Sequence, residues 1–297
     1  GRAGRGGVTA AGFRCSSAAR ERGDSMLATA PPARRWLLLE REGAWPTHAL
    51  SVFPKSQAHA LSEKAARAGA RISLIRRPRR HPASDGPFTW AVADVQRGQE
   101  GIRWHTAYTI EEVLDTPWEV TSGEGDPVAL VCSHSRHDVC CALRGRPVAA
   151  ALEPVWPGRV WECSHLGGDR FAATMVVLPT GLCYGRLDES NAAAVLAAFD
   201  RGQVVPDLLR GRCADPREAQ AAAAIGWQQG LAAPCVDALV PAGPATHAGG
   251  ITTVAFSAPD LRISYRETEV ELGTPSTCRA HGIGHGREYT FVGVQRR

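Results

Sequence analysis

Short apolar segments alternate with polar segments rich in glycine and proline along most of the chain. Short segments that are apolar throughout, or that alternate between apolar and polar residues, predict β-strands, and longer ones with apolar residues at helical spacing predict α-helices. The predicted strands cover residues 35–40, 71–75, 88–93, 102–105, 127–131, 160–164, 173–178, 251–256, 261–265, 267–272 and 289–294. The predicted helices cover residues 56–68, 147–152, 191–199 and 216–230. This mixture of strands and helices predicts an α/β protein.

Segments rich in glycine and proline divide this pattern into parts. Residues 115–127, DTPWEVTSGEGDP, are also acidic and predict a linker between two domains. The short strands near the C-terminus predict an antiparallel appendix of the kind that covers an open sheet edge. The predicted parts are a disordered leader (1–14), a small α/β domain (15–114), the linker (115–127), a second domain (128–240) and the β appendix (241–297).

The composition is that of a soluble globular protein, because hydrophobic residues make up 44% of the chain and charged residues 22%. No stretch approaches the roughly 18 consecutive apolar residues that indicate a transmembrane helix, so we expect no membrane association. The net charge is +4, and Lys55 and Lys64 are the only lysines. The arginine pairs come without a recognised nucleic-acid-binding motif, so the sequence does not favour nucleic acid as a partner.

The cysteines indicate a reducing compartment. There are nine, an odd number for a set of disulfides, and the N-terminal residues lack the apolar stretch of a secretory signal. We therefore expect a cytoplasmic protein whose thiols are available for metal. Cys183, Cys213 and Cys235 are interpreted as small, buried, apolar side chains. Cys15 stands alone, and we expect it to be redox-active only if the fold brings it near the candidate site described next.

Cysteines, histidines and glycines cluster between apolar segments only in residues 128–187. A predicted strand ends at Cys132 and is followed by a polar loop to Cys141. Eight residues separate the two cysteines. This spacing is too long for the short C-x2-4-C unit of most structural zinc sites, but both thiols could reach one cluster if the loop wraps around it. Loops at strand ends commonly carry function, so we expect the chemistry here.

A second polar loop follows the predicted strand at 160–164. In it His165 and Asp169 are separated by three residues, two of which are glycines. A glycine pair lets the backbone adopt positive φ and pass close to a bound group. Thiolates hold iron in iron–sulfur clusters, and imidazole can replace thiolate on one iron and raise the reduction potential. The two loops together therefore predict a site for iron and inorganic sulfide.

Three segments together are similar to the sucrase/ferredoxin-like family: CSHSRHDVCC at 132–141, SHLGGDRFA at 164–172 and LPTGLCYGR at 178–186. The resemblance implies that residues 128–240 form a thioredoxin-like ferredoxin domain with a 2Fe-2S cluster. In the family the cluster is bound by two cysteines of a C-x8-C loop and, in the best understood fungal branch, by two histidines of an H-x-G-G-H loop.

Matched residue by residue, the resemblance implies Cys132, Cys141 and His165 as ligands, with Asp169 where the second histidine would be. A carboxylate is a harder and more anionic donor than imidazole, so Asp169 as the fourth ligand should lower the potential. Cys163 or Cys140 could take its place instead. The loop could also keep its shape without a full cluster, with Asp169 acting as a cap or as an ion-pair partner.

The C-terminal appendix contains a competing set of ligands. Cys278, His281 and His285 have a C-x2-H-x3-H spacing that could hold zinc. The other interpretation is a glycine-containing loop with solvated histidines. One of these histidines could also reach the cluster and supply the imidazole that Asp169 does not provide.

The resemblance implies an electron carrier that acts with a redox partner protein and is not itself an enzyme. The alternative is a metal or redox sensor with a zinc or labile-cluster site, in which proton competition couples occupancy to pH. A thiol enzyme ranks last, because no C-x-x-C pair stands at a helix start. The family name includes sucrase, but no paired carboxylates are placed for glycoside hydrolysis.

Overall fold

The computed structural model describes residues 12–78 and 86–296. The predicted leader lies mostly outside these residues. The α-helices of the described part are α1 (Cys15–Arg22), α2 (Lys55–Ala68), α3 (Ile110–Asp115), α4 (Val139–Leu152), α5 (Ala192–Asp200) and α6 (Arg217–Gln228). The strands are β1 (Arg35–Glu40), β2 (Ala70–Arg76), β3 (Phe88–Asp94), β4 (Gly101–Ala107), β5 (Val128–Cys132), β6 (Val160–Cys163), β7 (Met175–Leu178), β8 (Leu182–Tyr184), β9 (Leu209–Arg212), β10 (Thr246–Ala248), β11 (Ile251–Ser257), β12 (Asp260–Glu271) and β13 (His285–Arg296).

A nine-stranded mixed sheet, in the order β4-β3-β1-β2-β6-β5-β7-β8-β9, forms the body of the molecule. Its neighbours β1 and β2 are parallel, as are β5 and β6. The prediction of an α/β protein is confirmed. The predicted linker lies between α3 and β5, and the strands before and after it meet in this sheet where Ile75 pairs with Cys163 and Arg76 with Glu162. The two predicted domains therefore share one sheet.

Helix α4 begins much earlier than the sequence analysis predicts. The Asp138 side chain accepts a hydrogen bond from the Cys140 amide at 2.8 Å and caps a helix that starts at Val139. The prediction took Pro147 as the helix start, whereas it lies inside the helix. The predicted polar loop is therefore present but ends at Asp138 and not at Cys141, because the cap places both adjacent cysteines in the first helical turn.

The C-terminal strands form a separate four-stranded antiparallel sheet, in the order β10-β11-β12-β13. Two predicted strands, 261–265 and 267–272, are one continuous strand β12, whose pairing with β13 shifts register between Ser264 and Tyr265. The sheet packs on α6 through a shared core that contains Ala222, Ile225 and Phe256. The appendix therefore packs on α6, whose alanine-rich face offers it an apolar surface, and its strands form a sheet of their own.

No helix in the described residues combines the length and the apolar character needed to cross a membrane.

Candidate metal centre

Two parallel strands carry the candidate site at their carboxyl ends. Cys132 is the last residue of β5 and pairs with Cys163, the last residue of β6. Parallel neighbours end at the same sheet edge, so the segments that follow them meet there. Helix α4 packs tightly above β5, since a Cβ at Gly145 would lie 2.0 Å from the Cys132 carbonyl oxygen. This approach brings Cys141 over the end of the strand.

Cys132, Cys141 and His165 converge on one point. One ligand atom of each lies within 4.8 Å of the other two. Both thiols are buried, whereas the His165 side chain is 28% exposed. The cysteines therefore form the inner wall of the site, and the imidazole forms its edge toward solvent.

Asp169 lies beside two of the three, Cys141 and His165. The Cys141 thiol donates to Asp169 Oδ1 across 3.1 Å, and His165 Nδ1 is 3.0 Å from the same oxygen. The contact of His165 lacks hydrogen-bond geometry, so its buried Nδ1 has no hydrogen-bond partner. Asp169 is buried, and it is the first residue of a 3₁₀ turn, Asp169–Phe171. The fold thus gathers the four residues that the sequence analysis selected.

Two further histidines complete the wall of the site. The ring of His137 stacks on His165 with centroids 3.6 Å apart, and its Nε2 lies 3.7 Å from Asp169 Oδ2. His134 Nε2 lies 2.7 Å from the Pro46 carbonyl oxygen, and its Nδ1 accepts a hydrogen bond from the His165 amide at 3.3 Å. Neither residue was predicted from the sequence as part of the site. Their position between the two cysteines of the C-x8-C segment is the signal that could have identified them.

The titratable groups of the site shift one another's pKa values. The neighbouring thiol of Cys141, together with His165, holds the pKa of the Cys132 thiol well below its usual range despite burial. The nearby Cys132 sulfur, together with burial, raises the pKa of Cys141. Burial lowers the pKa of His165, but Asp169 and Cys132 outweigh it and raise the pKa to about 9. Burial alone would raise the pKa of Asp169, yet His165 brings it below the ordinary value. A thiolate and a carboxylate thus face the same small volume.

A buried arginine fixes the glycine pair of the second loop. Gly167 and Gly168 have φ values of 88° and 78°, which glycine adopts readily. A Cβ at Gly168 would lie 2.4 Å from Arg210 Nη2, and Arg210 Nη1 donates to the Gly167 carbonyl oxygen at 2.9 Å. The absence of a side chain at Gly168 makes room for this guanidinium. From the sequence, the glycine pair was expected to make room for a bound group. Arg210 also places a fixed positive charge behind the site.

A model of the sucrase/ferredoxin-like family matches residues 26–211. The chain belongs to the sucrase/ferredoxin-like family. Comparisons with curated proteins and with solved structures gave no match. In this sucrase/ferredoxin-like protein the matched range contains all four selected residues and ends before α6 and the four-stranded sheet.

The other candidate ligands of this sucrase/ferredoxin-like protein lie elsewhere. Cys163 is buried and belongs to none of the groups of converging ligand atoms among the described residues. Cys140 faces a different group, with Cys15 and Cys278. His281 and His285 are exposed, and His285 Nδ1 lies 3.3 Å from Glu269 Oε1. The C-x2-H-x3-H spacing therefore does not assemble a site in the described part of the chain.

Proposed function

We propose that this protein is a one-electron carrier that holds a 2Fe-2S cluster at Cys132, Cys141, His165 and Asp169. The observation that carries the proposal is the convergence of two buried thiols from one segment with an imidazole and a carboxylate from another. A 2Fe-2S cluster, when bound, gains or loses a single electron at a potential set by its ligands and their hydrogen bonds.

The donor set fits such a cluster. Thiolate is the ligand that iron–sulfur clusters prefer, and imidazole is a known replacement on one iron. The buried Nδ1 of His165 lies 3.0 Å from Asp169 Oδ1 without hydrogen-bond geometry, and an imidazole nitrogen is a metal ligand when it is deprotonated. The lowered pKa of Cys132 also favours the thiolate form that binds metal.

The surrounding chain supports the proposal that residues 128–240 have a thioredoxin-like fold. The parallel unit β5-α4-β6 is followed by the antiparallel strands β7 and β8 and then by α5. In this arrangement β5 lies inside the sheet, between β6 and β7. A rigid central strand would hold Cys132 in place while the electron is transferred.

The residues of this chain would exclude water from the inner side of the cluster and leave one edge open. Cys132, Cys141 and Asp169 are buried, whereas the side chains of His165 and His137 are 28% and 33% exposed. A redox partner protein would therefore approach from the histidine edge. A reducing compartment such as the cytoplasm would keep the thiols free to bind iron.

A metal or redox sensor is the second candidate. The ligand atoms of Cys132, Cys141 and His165 lie within 4.8 Å of one another, close enough for a single tetrahedral zinc ion. Thiolate, imidazole and carboxylate are also the three ligand types that bind zinc in proteins. Such a site would report on metal supply or oxidants through its occupancy.

Anaerobic purification followed by iron, sulfide and zinc analysis distinguishes the two functions. For the carrier we expect about two irons and two sulfides per chain, a visible absorption spectrum, and an electron paramagnetic resonance signal after dithionite reduction. Stoichiometric zinc without sulfide that is lost in Cys132→Ser would favour the sensor. A colourless preparation that cannot be reconstituted with iron and sulfide would contradict the carrier.

Variants of Asp169 and His137 test which of them is the fourth ligand. We expect Asp169→Ala to reduce cluster content by at least about tenfold, because it removes a ligand. Asp169→His restores the family's H-x-G-G-H and should keep the cluster at a higher potential, since neutral imidazole replaces an anionic donor. His137→Ala should keep the iron and shift only the potential. The opposite pattern, with iron lost from His137→Ala and kept in Asp169→Ala, would make His137 the ligand.

A further inference from the structure

Three segments far apart in the sequence bring a second group of metal-binding side chains together. Cys15 is the first residue of α1, Asp138 and Cys140 stand at the start of α4, and Cys278 lies between β12 and β13. One ligand atom of each residue lies within 4.8 Å of the others. We propose that these four residues form a zinc site that is separate from the candidate 2Fe-2S site.

The distances match tetrahedral zinc. Cys140 Sγ is 3.4 Å from Cys278 Sγ, which is 3.5 Å from Cys15 Sγ, and Cys15 Sγ is 3.5 Å from Asp138 Oδ2. With Zn–S near 2.3 Å and Zn–O near 2.1 Å, tetrahedral geometry puts two sulfurs about 3.8 Å apart and a sulfur and an oxygen about 3.6 Å apart. Three of the six distances among the four ligand atoms are thus close to those of such an ion, and the other three are at most 4.8 Å.

The same distances exclude a disulfide in this state, because a sulfur–sulfur bond is about 2.05 Å long. All nine cysteines are free. The three thiols are joined only by S–H···S hydrogen bonds, and the thiol is a weak donor. A cation bound in their place would take one lone pair from each of three thiolates, and zinc is the common ion for thiolate-rich tetrahedral sites.

The carboxylate of Asp138 is held as a metal ligand would be. Asp138 is fully buried, and among the described residues it has no ion pair with an arginine, lysine or histidine. Buried charges are normally paired or coordinate a metal. Its Oδ1 accepts from the Cys140 amide at 2.8 Å and its Oδ2 from the Cys278 amide at 2.7 Å. Backbone donors of this kind orient ligating carboxylates.

The two sites are adjacent but distinct. Successive residues of an α-helix point about 100° apart, so Cys140 faces the zinc group while Cys141 faces Cys132 and His165. Cys15 and Cys278 lie outside the range matched by the family model. Zinc binding would release the thiol protons without any change of oxidation state. It would also fasten α1 and the β12–β13 connection to the helix that carries Cys141.

Metal analysis of the full-length protein purified anaerobically without added metal tests the proposal. We expect about one zinc per chain, lost in Cys15→Ser and Cys278→Ser and kept in Cys132→Ser. The matched control is Cys235→Ser, which removes a partly exposed thiol outside every converging group and should keep the zinc. Circular dichroism of each variant shows that it is folded. Cys278 is itself only partly buried, so we expect its serine variant to fold.

Cobalt provides a second readout. After removal of zinc, Co²⁺ should give the intense visible bands of a tetrahedral thiolate site, and Cys278→Ser should lose them while Cys132→Ser keeps them. The proposal is overturned if folded protein takes up neither zinc nor cobalt, if the zinc leaves with Cys132→Ser and stays in Cys278→Ser, or if mass spectrometry finds two of the three thiols joined as a disulfide. Iron and sulfide content reports on the other site, so the two proposals can fail independently.

Discussion

Replacing Cys132 with serine is expected to remove most of the iron and sulfide from the purified protein. Cys132 stands at the buried end of β5, where its thiol and that of Cys141 form the inner wall of the candidate site. A serine hydroxyl at this position is a much weaker iron ligand than a thiolate. Iron and sulfide per chain, together with the visible spectrum, measure the loss, which we expect to be at least about tenfold.

Cys183→Ser is the matched control for this variant. Cys183 is equally buried in a strand of the same sheet, and its sulfur lies 3.3 Å from that of Cys213. Neither belongs to a converging ligand group of the described residues. Each serine variant places a hydroxyl in an apolar interior, which costs about 1–3 kcal/mol of unfolding free energy, but only Cys132→Ser should lose iron. Equal loss from both variants would show that ligand and core cysteines had been wrongly separated.

The large sheet could be predicted from local patterns. Strand β5 is buried along its whole length and appears in the sequence as a continuous apolar run. Strands β3 and β4, both predicted from the sequence, pair antiparallel. The Cys132 and His165 segments were selected because each follows such a strand. Residues at the ends of neighbouring parallel strands are brought together by the sheet itself, so sequence position was sufficient to select them.

The remaining features depend on contacts between distant residues. Cys15 and Cys278 are 263 positions apart, and only the packing of α1 and the β12–β13 connection on α4 brings them together. Arg210 reaches the Gly167 carbonyl from β9, and no spacing in the chain indicates this contact. The start of α4 was missed for a local reason, since Pro147 resembles a first helical residue while the cap at Asp138 determines the true start.

Two substitutions of His165 should have opposite effects on the cluster. His165→Ala removes the ligand at the exposed edge, and we expect most of the iron to be lost. His165→Cys supplies a thiolate and should keep the cluster, with a shifted spectrum and a potential lower by at least about 100 mV, because an anionic donor replaces a neutral one. Redox titration followed by visible absorption measures the shift.

His134→Ala is the control, since that ring lies in the same wall but is engaged with the Pro46 carbonyl, and it should keep the iron. If neither substitution of His165 changed the spectrum, the imidazole would not be a ligand, and the electron-carrier proposal would lose the residue that connects its buried thiols to the surface.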